Sequence, residues 1–310
     1  MARPFRFGFQ SHGDSDDPRD LARRAEAAGF DLVCTWDHVA DGWSALAPLL
    51  AMADAAPTIR VCPMVINNDF HHPVHLAREV ASIDALTGGR VELGIGAGHA
   101  FTEYAAIGQA MDPPAVRKRR LAESVEILRR LLDGEEVTFA GEHYRLDAVR
   151  TMRSTQARLP ILVGVAGREA LAHAARHADA IGLMGLGRTL ADGQRHEVRW
   201  QPERLTATID HIRASAGERF EQIELNALVQ VVQITDDRRA AAARLTGAID
   251  GLTVEDALAT PFLALGTHDE IAEHLLACRE RWGISNYTVR SIEDMAPVIA
   301  RLRDGATIGA

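Results

Sequence analysis

Val91-Glu92-Leu93-Gly94-Ile95-Gly96-Ala97-Gly98-His99-Ala100 (VELGIGAGHA) runs an apolar segment into a turn of alternating glycines. A dinucleotide-binding fingerprint needs glycine at its first, third and sixth places, the last so that helix and strand can pack closely. Counted from Gly94, the sixth place is His99, and the fingerprint fails. What remains is a strand ending in a glycine-rich turn that carries an imidazole. Its neighbours in the chain decide what kind of sheet it joins.

Strand and helix signals alternate on both sides of it. Short apolar runs at 5–10, 31–35, 59–66, 90–95, 161–165, 180–184, 223–234 and 287–290 read as strands covered on both faces. Helical periodicity lies between them at 18–28, 44–55, 73–86, 114–132, 168–177, 202–216, 238–249 and 267–282, with a last helix at the end. Asp17 before Pro18, with Gly29 beyond, frames the first helix, and Thr267 with Glu270 forms a capping box. The alternating VTFAGEHYRL, 137–146, predicts a hairpin insertion. Eight strands, each followed by helix and with no linker between them, predict an α/β protein: one (β/α)8 TIM barrel with insertions, a single domain over 1–310.

Composition narrows the functions. A formal charge of -9 opposes a nucleic-acid partner, and the basic run Arg117-Lys118-Arg119-Arg120 lies on a periodic helix, where it reads as a solvated face. No segment is apolar enough for a bilayer, and MARPFRFGFQ enters a strand without the apolar core of a signal peptide, so a cytoplasmic location with no membrane partner is expected. Cys34, Cys62 and Cys278 stand far apart and read as buried hydrophobes. Lys118 is the only lysine, which leaves Schiff-base and pyridoxal chemistry without a nucleophile at a strand end.

In such a barrel the site lies at the C-terminal ends of the strands. These ends carry Gln10, Ser11 and His12; Trp36, Asp37 and His38; Asn67, Asn68 and Asp69; and Gly96, Ala97, Gly98 and His99, with Glu103 and Tyr104 on the same loop. His12, His38 and His99 are expected to ring the mouth, where imidazole can move a proton near neutral pH. Gly164-Val165-Ala166-Gly167-Arg168 opens a helix, whose free N–H groups and dipole suit a phosphate; a plain tight turn is the rival reading. His71, His72 and His75 flank a helix start and are not read as a metal site, and no metal is expected.

The segments AEAAGFDLVCTWDH, HPVHLAREVASIDALTGGRVELGIGAG, EEVTFAGEHYRLD, PILVGVAGREALAHAARHADAIGL and GTHDEIAEHL, in that order, resemble the luciferase-like flavin and deazaflavin oxidoreductases, in particular the branch that uses coenzyme F-420. The resemblance implies a cofactor across the barrel mouth and a hydride exchanged with a small organic substrate. It implies His38 as the proton-moving group with Asp37 orienting it or the cofactor, and His99 as a second candidate. Met64 and Val65 would form a non-proline cis peptide behind the ring, and Asn67, Gly96, Ala97, Gly98, Gly164, Val165, Ala166, Gly167, Arg168 and Met184 would line the cofactor, with Gln10, His12 and Trp43 facing substrate. His99 and Gln10 stand where sugar-phosphate dehydrogenases of the family place glutamates, which argues against a sugar-phosphate substrate. A homodimer is implied too. Rival readings are an FMN-dependent monooxygenase of the same family, a metal-dependent barrel hydrolase and a cofactor-retaining binding protein.

Overall fold

The glycine-rich strand lies in a ring of parallel strands. The structure, a computed structural model, describes residues 3–11, 16–39, 42–190, 196–249 and 251–308. The ring contains β1 (Arg6–Gln10), β2 (Leu32–Thr35), β3 (Arg60–Pro63), β4 (Ile66–Asn67), β5 (Leu93–Gly96), β6 (Ile161–Gly164), β7 (Ala180–Leu183), β8 (Glu224–Leu228) and β9 (Ile284–Val289). They hydrogen-bond in the order β3-β2-β1-β9-β8-β7-β6-β5-β4, all parallel. The two ends of that order are halves of one strand, so the ring closes on itself, and a bridge from Val61 to Val91 ties the seam. The nine segments thus make the eight staves of a TIM barrel.

Helices cover the outside: α1 (Pro18–Ala27), α2 (Ala47–Ala55), α3 (Pro73–Leu86), the short α4 (Phe101–Ala106), α5 (Pro114–Leu132), α6 (Arg168–His177), α7 (Pro202–Ala216), α8 (Arg238–Thr246), α9 (Val254–Ala259), α10 (His268–Trp282) and α11 (Ile292–Ile308). Their starts follow from local chemistry. The Asp17 carboxylate accepts from Arg19 N at 2.9 Å ahead of Pro18, and Thr267 and Glu270 cap each other's backbone. The rows of buried residues on these helices pack against the strands in one continuous apolar core that includes Leu21, Leu49, Leu76, Leu121, Leu128, Ile209 and Leu275. All three cysteines are buried and free, as expected.

Two expectations are revised and one element is added. The strand expected at 59–66 is cut at Met64–Val65, whose peptide bond is cis. The stretch expected as one strand over 223–234 leaves the barrel after Leu228, because Gln230 N turns to Phe262 O and Val231–Ile234 pairs with Leu263–Gly266 in a separate two-stranded sheet. Besides the expected hairpin (Val137–Ala140 with Arg145–Val149), a second one pairs Leu186–Thr189 with His196–Val198 above β7, and no sequence signal announced it.

Candidate active site

The chain leaves β2 through Trp36-Asp37-His38, and His38 meets a carboxylate that comes from elsewhere. Its Nδ1 lies 2.5 Å from Glu103 Oε1, in a pair whose side chains are 26% and 15% exposed. Glu103 sits in the first turn of α4, so the loop after β5 delivers an acid to the imidazole after β2. Trp36 stands edge-on to the His38 ring with centroids 4.8 Å apart, and His99 does so from another side at 5.3 Å. Behind His99 lies His196 of the second hairpin, at 4.9 Å. Desolvation first, then His196, His38 and Arg117, push the His99 imidazole down to about 4, although the residue is exposed. At neutral pH it is an uncharged donor and acceptor.

Asp37 is turned away from His38. Its Oδ2 accepts from Asn67 N at 2.8 Å and lies 3.4 Å from His71 Nε2, so this carboxylate anchors the strand end beyond the cis peptide instead of orienting His38. The cis peptide itself is held from β1, two strands away: Gln10 Nε2 donates to Met64 O at 2.6 Å, while Gln10 Oε1 accepts from Arg290 Nε at 3.0 Å. Gln10 is 7% exposed with both ends engaged, so it braces the backbone where a substrate contact was expected.

Val65 fills the barrel interior against glycines. A Cβ on Gly94 would stand 3.3 Å from Val65 Cγ1, and one on Gly96 would stand 2.9 Å from Val65 Cγ2. Gly96, Gly164 and Gly182 pair side by side across β5, β6 and β7, and the side chains of Val65 and Leu162 take the space over them.

The turn that follows is pinned from both sides. Gly98 has φ +72°, and a Cβ there would lie 2.4 Å from both Asn67 Oδ1 and Tyr104 Oη. Arg117, 7% exposed, donates to Ala97 O at 2.7 Å, to Gly98 O and to Asp112 O at 2.9 Å. Arg120 pairs with Asp69 and Asp112, and Asp69 also accepts from Tyr104. Of the basic run, Arg119 has an exposed partner, Glu142. The expectation of a solvated helix face is thereby corrected: α5 turns two of its cations inward as anchors for the loops at the mouth.

Lys118 completes that correction. A Cβ on Gly167, which caps α6 with φ +99°, would come within 3.2 Å of Lys118 Nζ, and this amine has no hydrogen-bond or salt-bridge partner among the described residues. Desolvation and Arg117 lower its pKa from the ordinary lysine value. The chain's only lysine therefore stands at the N-terminus of α6, next to Val165, Ala166 and the exposed Arg168. Arg168 uses its carbonyl to accept from His211 Nε2 at 2.7 Å.

Of the remaining expected residues, Trp43 is 55% exposed and borders a shallow depression with Ser11, Trp36 and Met52. The Met184 carbonyl accepts from Trp200 Nε1 at 3.3 Å. His12 lies outside the described residues. His72 caps α3 through Nδ1, which accounts for it structurally. Sequence reasoning noted Glu103 on the loop after β5 but gave it no role, and it did not assign His196 or Lys118 to the site.

The model of the luciferase-like monooxygenase family matches residues 4–286. The chain belongs to that family. An F-420-dependent glucose-6-phosphate dehydrogenase of Gordonia bronchialis is 31% identical over 193 residues, 58% of this chain and 56% of the relative, so the match spans little more than half of that protein. The corresponding enzyme of Microbacterium testaceum is 27% identical over 288 residues, 89% of this chain and 81% of its own. An F-420-dependent secondary alcohol dehydrogenase, solved in complex with an F-420-acetone adduct, shares the fold with a TM-score of 0.75 over 97% of this chain and 100% of its own, at 19% identity. In this luciferase-like chain Glu103 brings a carboxylate to the His38 imidazole, while Gln10 and His99 stand at the positions where the resemblance implies glutamates in sugar-phosphate dehydrogenases of the family. No helix among the described residues is long and apolar enough to cross a membrane.

Proposed function

We propose that the protein is an oxidoreductase in which coenzyme F-420 exchanges a hydride with a small organic substrate at the C-terminal mouth of the barrel. The observation that carries this reading is the His38–Glu103 pair, with His99 of the glycine-rich turn against the His38 ring. The chain's residues fit the coenzyme. Gly96 and Gly164 let Val65 pack down against the backbone as a floor for a flat ring system, and Gly167, at the start of α6 beside Lys118, offers N–H groups, the positive helix end and an ammonium to a phosphate-bearing tail. When bound, the deazaflavin supplies the carbon that gives or takes the hydride. His38, with Nδ1 held by Glu103, keeps Nε2 to give or take the substrate's proton, and the carboxylate stabilises the imidazolium as it forms. Asp37, through Asn67 N, and Gln10, through Met64 O, keep the backbone under the ring in place.

The exposed Val39, Trp43 and Phe101, neighbours in the chain of His38 and His99, favour an uncharged and partly apolar substrate. Fluorescence titration of the purified protein with oxidised F-420 and with FMN tests the coenzyme. Binding of F-420 is expected, whereas tight binding of FMN alone would replace this reading by a flavin monooxygenase. His38→Ala is expected to lose on the order of 10²- to 10⁴-fold in turnover with the coenzyme still bound. Unchanged turnover would remove His38 from its role. The resemblance also implies a homodimer, which sedimentation of the full chain decides.

A further inference from the structure

We infer that the outer wall of the barrel carries a divalent-cation site of zinc type, formed by Glu126 of α5 with His173 and His177 of α6. The two histidines are four residues apart on one helix, a spacing that puts both rings on the same face. Their centroids are 4.6 Å apart at an interplanar angle of 23°. That face of α6 packs toward α5, and Glu126 reaches it from there. One nitrogen of each imidazole and one carboxylate oxygen all lie within 4.8 Å of one another.

The three side chains are half-buried, and none makes a hydrogen bond or salt bridge with a described residue. Two parallel imidazoles and a carboxylate that converge without using their polar atoms on protein are arranged for a shared partner. A triangle with edges of 4.8 Å has its centre roughly 2.8 Å from each corner, against about 2.0–2.1 Å for zinc to nitrogen or oxygen, so each ligand has to close in by roughly 0.7 Å. Small side-chain rotations cover that distance. Two imidazoles and one carboxylate suit zinc and its transition-metal neighbours, while calcium and magnesium prefer oxygen alone. Three protein ligands leave a fourth position for water.

The surroundings set a moderate affinity. Arg129, Arg176 and Arg219 act on His177 as like charges to the metal, but Arg129 is paired with Asp179, and Arg219 donates to Ala175 O and Ala178 O. Bound zinc would brace α5 against α6, the helices that carry Lys118 and open at Gly167. This inference does not depend on the coenzyme reading.

Calorimetric titration of the chelator-treated full chain with zinc chloride, and thermal melts with and without zinc, test it. One zinc per chain at micromolar affinity and a zinc-dependent rise in Tm are expected. Glu126→Gln, His173→Gln and His177→Gln should each weaken binding on the order of tenfold or more and abolish the rise in Tm. His99→Gln, which removes an imidazole from the other histidine cluster at the mouth, should keep both. Zinc binding unchanged in His177→Gln and Glu126→Gln, zinc binding lost in His99→Gln, or no binding at micromolar zinc would each overturn the site.

Discussion

Replacing Arg117 with methionine separates an anchor from a solvated charge on the same turn of helix. The stem keeps most of its volume in methionine, so the loss falls on the guanidinium. That group is 7% exposed and holds the carbonyls of Ala97, Gly98 and Asp112. A hydrogen bond to a charged group contributes about 1.5–3 kcal/mol net, and water can reach part of the half-buried turn in the variant, which places the cost at about 3–5 kcal/mol in total. At about 2.1 cal/mol/K per residue, a chain of 310 residues unfolds with an entropy of roughly 0.65 kcal/mol/K, so Tm should fall by about 5–8 °C. Arg119→Met is the comparison. Its pair with Glu142 joins side chains 42% and 55% exposed, where solvent and salt screen the charges, so Tm should stay nearly unchanged. Calorimetry of both variants at one scan rate reads the difference, and titration with F-420 reads the site: the Gly96–Gly98 turn shifts only in Arg117→Met, which should lose on the order of tenfold in affinity. Equal melting of the two variants would refute the anchor.

Gly98→Ala should destabilise by more than about 2 kcal/mol, because positive φ and two contacts at 2.4 Å act together; Gly108→Ala, with φ +70° and open space around it, should cost about 1 kcal/mol in the same melts, and equal costs would mean the close approach to Asn67 and Tyr104 is not real. Lys118→Gln should weaken F-420 binding on the order of tenfold at low salt and less at high salt, whereas an affinity independent of both would place the coenzyme tail away from α6. His99 titrates at about 4 in the folded chain against an ordinary 6.5, so the unfolded chain binds more protons between those values and stability falls as pH drops through that window. In His99→Gln that part of the decline disappears; urea melts from pH 7 to pH 4 in which the two proteins keep a constant difference would contradict the shift.

The barrel was legible because its signals are local. Apolar runs of four to six residues, caps at Asp17 and Thr267, and glycines at turns each act within a few residues of chain, and the ring of strands follows from their alternation. Half of the candidate site was not legible for the opposite reason. Glu103 is 65 positions from His38, and what joins them is the path of the loop after β5, which no periodicity encodes. His196 arrives on a hairpin of three- and four-residue strands with a bulged register, too short and irregular to stand out as alternation. Asp37, next in sequence to His38, was given the role of orienting it or the cofactor by the resemblance, and neighbouring side chains after a strand point to different sides.

The basic run on α5 is a different kind of miss, since the sequence did contain its signal. Positions 117, 121, 125, 128 and 132 follow one another at spacings of four, four, three and four, and Leu121, Val125, Leu128 and Leu132 are buried. Arg117 therefore stands in phase with the apolar face, where a charge is admitted only if it is paired or fully hydrogen-bonded. An arginine at that phase, one turn after a loop of free carbonyls, is better placed to tie down the loop than to face water. Lys118, one residue on, is rotated about 100° from it and so points along the neighbouring groove toward α6, where it meets Gly167. Helical phase, applied to the charged residues as strictly as to the apolar ones, assigns the anchor and the amine beside Gly167 separately within a run that composition treats as one patch.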